Sequence, residues 1–205
     1  MIDVLLNNLQ TGFYVDVGAN DPTFLSNTQR FYSRGWQGIN IEPNPDAFKR
    51  IIENRIHDIN LNIAISENVE NLTFYLIGDE STVSTLDYSQ AIKMSKILNL
   101  DIALTLVKCM PLSKVFDTQL YNKHIDFMSI DVEGHELAVL KSNNWKKYRP
   151  TLIMVELNIK TKEILLYMDK QDYLYVYSNH LNALFVDKKT KDTNILSNIT
   201  WDKTI

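Results

Sequence analysis

The chain has 205 residues, of which 45% are hydrophobic, and a formal net charge of −4 at pH 7. This size and composition suit a single globular domain over residues 1–205 with a sizeable core. The absence of a long basic run argues against a nucleic-acid partner, and no apolar stretch approaches the roughly 18 residues of a membrane span. The single Cys109 cannot form an internal disulfide, so we expect a reducing, cytoplasmic setting.

Predicted strands and helices alternate along most of the chain. In the first half we expect a helix at 2–9, a strand at 13–17, a helix at 27–33, a strand at 37–41, a helix beginning at 44–45, and strands at 61–65 and 72–76. In the second half we expect a helix at 111–120, a strand at 125–130, a helix from 137, a strand at 151–155, a helix at 164–168, and strands at 173–177 and 184–186.

This alternation predicts an α/β fold, a mostly parallel sheet with helices on both faces. The connection before the last strand is too short for a crossover, so that strand should be antiparallel. Residues 81–106 show helical spacing only around 91–98, and we interpret them as a candidate lid inserted into the domain. Residues 188–205 form a polar C-terminal tail.

The stretch FYVDVGAND, residues 13–21, is typical of a buried strand that runs into a tight turn, which is the ligand end of a Rossmann-like unit. Gly18 permits a positive φ or a close approach of the backbone to a ligand. In such sheets, ligands bind beyond the carboxyl ends of the strands. Four acids lie at predicted strand ends: Asp16, Glu42, Asp131 and Glu156.

Glu42 could accept hydrogen bonds from both hydroxyls of a ribose, as in dinucleotide oxidoreductases and S-adenosylmethionine enzymes. A dinucleotide site typically has the pattern G-x-G-x-x-G, but no second glycine follows Gly18 before Gly35. Asp16 would also repel a pyrophosphate, whereas it suits an ammonium group. A nicotinamide-dependent oxidoreductase and a non-catalytic module that retains the fold stay the alternatives.

Four stretches together resemble the FkbM family of S-adenosylmethionine-dependent methyltransferases: FYVDVGAND, GINIEPNP at 38–45, IDFMSIDVEGHEL at 125–137 and TLIMVEL at 151–157. The resemblance implies a Rossmann-like class I methyltransferase fold, with a seven-stranded sheet and helices on both faces. It also implies O-methylation, and we expect the acceptor to be a hydroxyl of a sugar, nucleotide sugar or glycan. Residues 20–22, Asn-Asp-Pro, depart from the family's usual turn.

The resemblance also implies, position by position, which residues bind the S-adenosylmethionine cofactor. The methionine end should contact Asp16, Gly18, Ala19 and Asn20. Glu42 should bind the ribose. The adenine should lie near Ala64, Ile65 and Ser66.

Asp131, Glu133 and His135 form the predicted catalytic cluster. An alcohol is a poor nucleophile until a base shares its proton, and we expect His135 to be that base while Asp131 positions the acceptor. Glu133 or Glu136 nearby should raise the basicity of His135, although Glu133 could instead cap the following helix. Two carboxylates and a histidine could also bind a divalent ion, but the resemblance requires no metal and none is predicted. A homo-oligomer stays open.

Overall fold

The computed structural model describes residues 1–78, 82–157, 159–179 and 181–190. Most of the predicted polar tail and the first residue of the candidate lid, Ser81, therefore lie outside the described residues. The strands are β1 Phe13–Val17, β2 Gln37–Ile41, β3 Ile59–Leu61, β4 Ala64–Ile65, β5 Glu70–Ile77, β6 Ile102–Met110, β7 Phe127–Ile130, β8 Leu152–Glu156, β9 Tyr173–Ser178 and β10 Asn182–Asp187. The helices are α1 Ile2–Leu5, α2 Gln29–Tyr32, α3 Pro45–Asn54, α4 Tyr88–Leu98, α5 Leu112–Gln119, α6 Glu136–Lys141 and α7 Thr161–Lys170.

The main sheet has seven strands in the order β3-β2-β1-β7-β8-β10-β9. Neighbours from β3 to β8 pair in parallel, whereas β10 is antiparallel to both β8 and β9. The predicted α/β fold, mostly parallel with an antiparallel last strand, is therefore confirmed. Chain order changes direction next to β1, which places the carboxyl ends of β1, β2 and β7 around one crevice.

Apolar side chains pack on both faces of this sheet. Alternation along β1 sends Val15 and Val17 to one face, where they share a core with residues of α5, α6 and α7. Tyr14 lies on the other face, in a core with Leu5 of α1 and Phe31 of α2. The prediction of helices on both faces is confirmed. Among the described residues, no helix is long and apolar enough to cross a bilayer.

The third predicted strand, at 61–65, is wrong as a single element. Chain pairing with β2 ends at Leu61, and Ala64–Ile65 instead pairs with β6 in a separate three-stranded sheet of order β4-β6-β5. The side-chain amide of Asn62, between the two strands, donates to the carbonyl oxygens of Glu42 (2.8 Å) and Pro43 (3.1 Å). This anchor turns the chain away from the main sheet immediately after β3.

The candidate lid contains regular structure in the residues that are described. The helical spacing at 91–98 belongs to α4, which Asp87 caps by accepting from the backbone N–H of Gln90. Strand β6 begins within the same segment and pairs antiparallel with all of β5, which the sequence did not predict. Closure of this segment over an acceptor stays a prediction.

Candidate active site

A cleft opens at the carboxyl ends of β1, β2 and β7, with the small sheet as its opposite wall. It contains about 560 Å³ of empty space, a figure that includes the open solvent at its mouth. Eight of the eleven residues that the sequence singled out line this cleft: Gly18, Asn20, Glu42, Ala64, Ile65, Asp131, Glu133 and His135.

The other three predicted site residues, Asp16, Ala19 and Ser66, are buried and do not line the cleft. Alternation along β1 sends Asp16 to the α2 face of the sheet, where its carboxylate accepts from the hydroxyl of Thr28 at 2.6 Å. Burial raises the pKa of Asp16 to about 6, against the lowering effect of that hydrogen bond. Asp16 therefore holds the start of α2 beneath the crevice.

Gly18 brings the ends of β1 and β7 into close contact. Its φ is +84°, and a Cβ built on it would lie 1.8 Å from the carbonyl oxygen of Asp131. The backbone N–H of Gly18 donates to the carbonyl of Ile41 on β2 at 2.9 Å. Because any side chain would push the two strand ends apart, the geometry requires glycine here.

Glu42 lies at the end of β2 and is 5% exposed. One carboxylate oxygen accepts from the backbone N–H of Asn20 at 2.8 Å, and the other accepts from that of Asn44 at 2.7 Å. A carboxylate offers about four acceptor positions, so capacity remains for the two hydroxyls of a ribose. Burial, the largest effect, raises the pKa of Glu42 to about 7 despite these two bonds.

The loop after β1 is held in place by Arg55, a guanidinium that is only 1% exposed. It donates to the carbonyl oxygen of Pro22 at 2.6 and 3.1 Å and to the hydroxyl of Ser26 at 3.0 Å. It also donates to the hydroxyl of Tyr14, which in turn donates to Asp58. These bonds tie one wall of the crevice to the main sheet.

The turn after β7 carries several acidic residues to the crevice, and the sequence did not reveal which of them bonds to the backbone of the turn. Glu133 and Gly134 have φ values of +53° and +102°, which fold the chain back sharply before α6. Glu136 bonds to this turn, since its carboxylate accepts from the backbone N–H groups of Val132 (3.3 Å) and Gly134 (2.8 Å). The carbonyl of Glu133 accepts from the hydroxyl of Thr85 at 2.8 Å, which joins the turn to the segment before α4.

His135 lies at the N-cap of α6, immediately before the first helical residue. Burial is the largest effect on it and the charge of Lys160 the next, and together they lower its pKa. The acids that act to raise the pKa are Asp87 and Glu67, not the expected Glu133 or Glu136, and burial outweighs them, so the neutral imidazole is favoured at pH 7. Its Nε2 is buried and has no hydrogen-bond partner among the described residues.

Several residues near the crevice were not in the predicted set. Phe74, Leu86 and Ser84 line it from the small sheet and from the segment before α4; no signal placed them, because β5 and β6 pair through distant contacts. Glu156 lies beside Asp131, and its strand-end position was the available signal. The ligand-capable oxygens of Asp131, Glu133 and Glu156 all lie within 4.8 Å of one another.

The fold is shared with a solved methyltransferase structure. The chain superposes on the methyltransferase FkbM from Methylobacillus flagellatus KT with a TM-score of 0.54 at 13% identity, over 86% of this chain and 44% of the other. It therefore spans less than half the length of that protein. TrmK from M. capricolum, in complex with S-adenosyl-homocysteine, gives a TM-score of 0.46 at 10% identity, over 95% of this chain and 73% of the other.

Among curated proteins, none matches the chain. The family model described as the methyltransferase FkbM domain matches residues 16–175. These residues include the end of β1 with its turn, the Glu42 strand end, the turn after β7, and the end of β8. The match covers well over half of the chain and confirms the resemblance seen in the sequence: the protein belongs to the FkbM methyltransferase family.

Proposed function

We propose that the protein is an S-adenosylmethionine-dependent O-methyltransferase whose acceptor is a hydroxyl of a sugar, nucleotide sugar or glycan. The observation that carries this proposal is the composition of one crevice. A tight turn at Gly18, a strand-end acid at Glu42 and a neutral imidazole at His135 all line it. These are the parts needed to bind a nucleoside with an amino-acid tail and to take a proton from an alcohol.

The residues of the crevice fit the cofactor by their chemistry. The carboxylate of Glu42 retains acceptor capacity for the ribose hydroxyls. Ile63, Ala64 and Ile65 offer an apolar wall for an adenine ring. The turn at residues 18–20 would hold the methionine end. When bound, S-adenosylmethionine supplies a methyl group that is activated by a positive sulfur.

The chain's own contribution to the reaction is orientation and proton transfer. Asp131 would position the acceptor hydroxyl at the end of β7, while Nε2 of His135 takes its proton. Because burial lowers the pKa of His135, the imidazole is in the accepting form throughout the neutral range. The apolar wall from the small sheet would exclude water from the same space.

The direct test is incubation with radiolabelled S-adenosylmethionine and a panel of sugars, nucleotide sugars and glycolipids. We expect label in at least one acceptor, and a His135→Ala variant that turns over about 10²–10⁴ times more slowly with unchanged cofactor affinity. Parental turnover in His135→Ala would place the base elsewhere. Failure of every acceptor, together with cofactor binding, would favour a non-catalytic module.

The remaining alternative is a nicotinamide-dependent oxidoreductase, and cofactor binding separates it from a methyltransferase. S-adenosylhomocysteine should raise the melting temperature at concentrations well above its Kd, whereas NAD should not. A shift with NAD alone would contradict the proposed function.

A further inference from the structure

Three carboxylates meet at the edge of the sheet beside the proposed base. Asp131 follows β7 and Glu156 ends β8, and these two strands are parallel neighbours. With Glu133 they form a group whose oxygens all lie within 4.8 Å of one another. The pairing of β7 with β8 therefore fixes the spacing of Asp131 and Glu156. The proposed proton transfer by His135 does not explain why three carboxylates lie together.

Two buried oxygens at this edge lack donors. Glu156 is 9% exposed, and its Oε2 is buried without a hydrogen-bond partner among the described residues. Oδ1 of Asn182 is buried and unpartnered in the same way. Asn182 lies directly opposite Glu156 in the antiparallel β8–β10 pair, so the two side chains share a face with Cβ atoms about 5 Å apart. Buried acceptors of this kind destabilise the folded protein unless a cation or a hydrogen-bond donor contacts them.

The charges that act most strongly on Glu156 come from Asp131, Glu133 and Glu136, which are all acidic. Asp131 and Glu156 are also joined by a side-chain hydrogen bond, and a cation bound between the two carboxylates would replace it.

We infer that Asp131, Glu133, Glu156 and Asn182 bind a divalent cation that prefers oxygen ligands, Mg²⁺ or Mn²⁺. Carboxylate and amide oxygens without sulfur or imidazole are the donor set of these hard ions. The set differs from the cluster weighed in the sequence, because Glu156 and Asn182 replace His135, which stays free for proton transfer.

The role of the ion rests on the proposed function, although its binding does not. Asp131 and Glu133 line the same crevice as His135, so a cation held there would contact an acceptor hydroxyl. A divalent ion lowers the pKa of a bound oxygen and would ease transfer of the proton to His135.

The test is equilibrium binding of Mn²⁺ to the full chain, followed by electron paramagnetic resonance, and it requires no acceptor or turnover. We expect one Mn²⁺ per chain, displaced by Mg²⁺. Glu156→Gln should bind Mn²⁺ at least tenfold more weakly and Asn182→Ala several-fold more weakly. Glu53→Gln, on the exposed side of α3, should bind as the parent does. Melting temperatures establish that each variant folds, and Glu133→Gln replaces Glu156→Gln if the latter does not.

Two results would overturn the inference. If Asp131 and Glu156 hold a shared proton instead of a metal, the parent binds no Mn²⁺ at millimolar concentration, or Glu156→Gln, which imitates the protonated acid, binds as the parent does. If S-adenosylhomocysteine competes with Mn²⁺, the cation that this cluster receives is the cofactor's ammonium group. Either outcome leaves the proposed methyl transfer intact, because the acceptor panel tests that separately.

Discussion

Replacing Glu42 with Gln should change how the stability of the protein depends on pH. Burial moves the pKa of Glu42 from 4.5 to about 7. Each tenfold change in the acid dissociation constant corresponds to about 1.4 kcal/mol. The ionised carboxylate therefore costs the folded, ligand-free protein about 3 kcal/mol.

The direction of the effect follows from the raised pKa. Below pH 4.5 Glu42 is protonated in both the folded and the unfolded state, and it costs nothing. As the pH rises toward 7 the unfolded state ionises first, so the free energy of unfolding falls. Above that pH the full cost is present. Between pH 5 and pH 8 this one residue should remove about 2–3 kcal/mol from the free energy of unfolding.

Urea unfolding at pH 5 and pH 8, monitored by tryptophan fluorescence, measures this loss. Glu42→Gln cannot ionise and should lose about 2–3 kcal/mol less than the parent over this range, whatever its absolute stability. Glu53→Gln provides the matched control, since Glu53 is exposed. If the parent and Glu42→Gln lose the same free energy to within about 0.5 kcal/mol, Glu42 is not a buried acid of raised pKa and its assigned position is wrong.

Three further predictions concern the framework of the crevice. Gly18→Ala should lower the melting temperature far more than Gly35→Ala, because both glycines have positive φ but only a Cβ at Gly18 meets a backbone atom within 4 Å; equal losses in calorimetry would contradict this reading. Arg55→Met should cost more than about 2 kcal/mol in urea unfolding, since it leaves buried partners unbonded, whereas Lys49→Met on the exposed face of α3 should cost little. Hydrogen exchange at residues 82–87 should slow when S-adenosylhomocysteine binds, because this segment lines the crevice, and exchange that is already slow in the free protein would identify a fixed wall.

The parts of the fold that the sequence predicted are those with local signals. Strand β1 is an apolar run that ends in glycine, and α3 has Asn44 as N-cap with Pro45 at its first position, so neighbouring residues alone define their bounds. Strand β6 has no such signal. Leu104 and Leu106 are 67% and 74% exposed, so its hydrophobic pattern does not separate a core face from a solvent face, and only pairing with β5 makes it a strand.

The same distinction applies to the candidate site. Position at a strand end brought Glu42 and Asp131 into the crevice, because parallel strands end at one edge. The partner of a strand acid was harder to predict: Asp16 lies inside β1 and not beyond its end, and it is buried against Thr28. In the turn after β7, the sequence could not decide which acid bonds to the backbone. Positive φ values at Glu133 and Gly134 fold the chain back, so that Glu136 accepts from the backbone N–H of Gly134.

The distribution of unsatisfied groups adds an argument for function that does not depend on likeness to other proteins. Buried polar atoms in native proteins are rarely left without partners, so each exception calls for a reason. Of the five such side-chain atoms in the described residues, three belong to His135, Glu156 and Asn182, at the carboxyl edge of the sheet. At the Arg55 network, by contrast, a fully buried charge is bonded on several sides. The described residues satisfy a buried guanidinium on several sides but leave an imidazole nitrogen and two oxygens without partners at one edge, and this contrast supports the acceptor and cation sites proposed there.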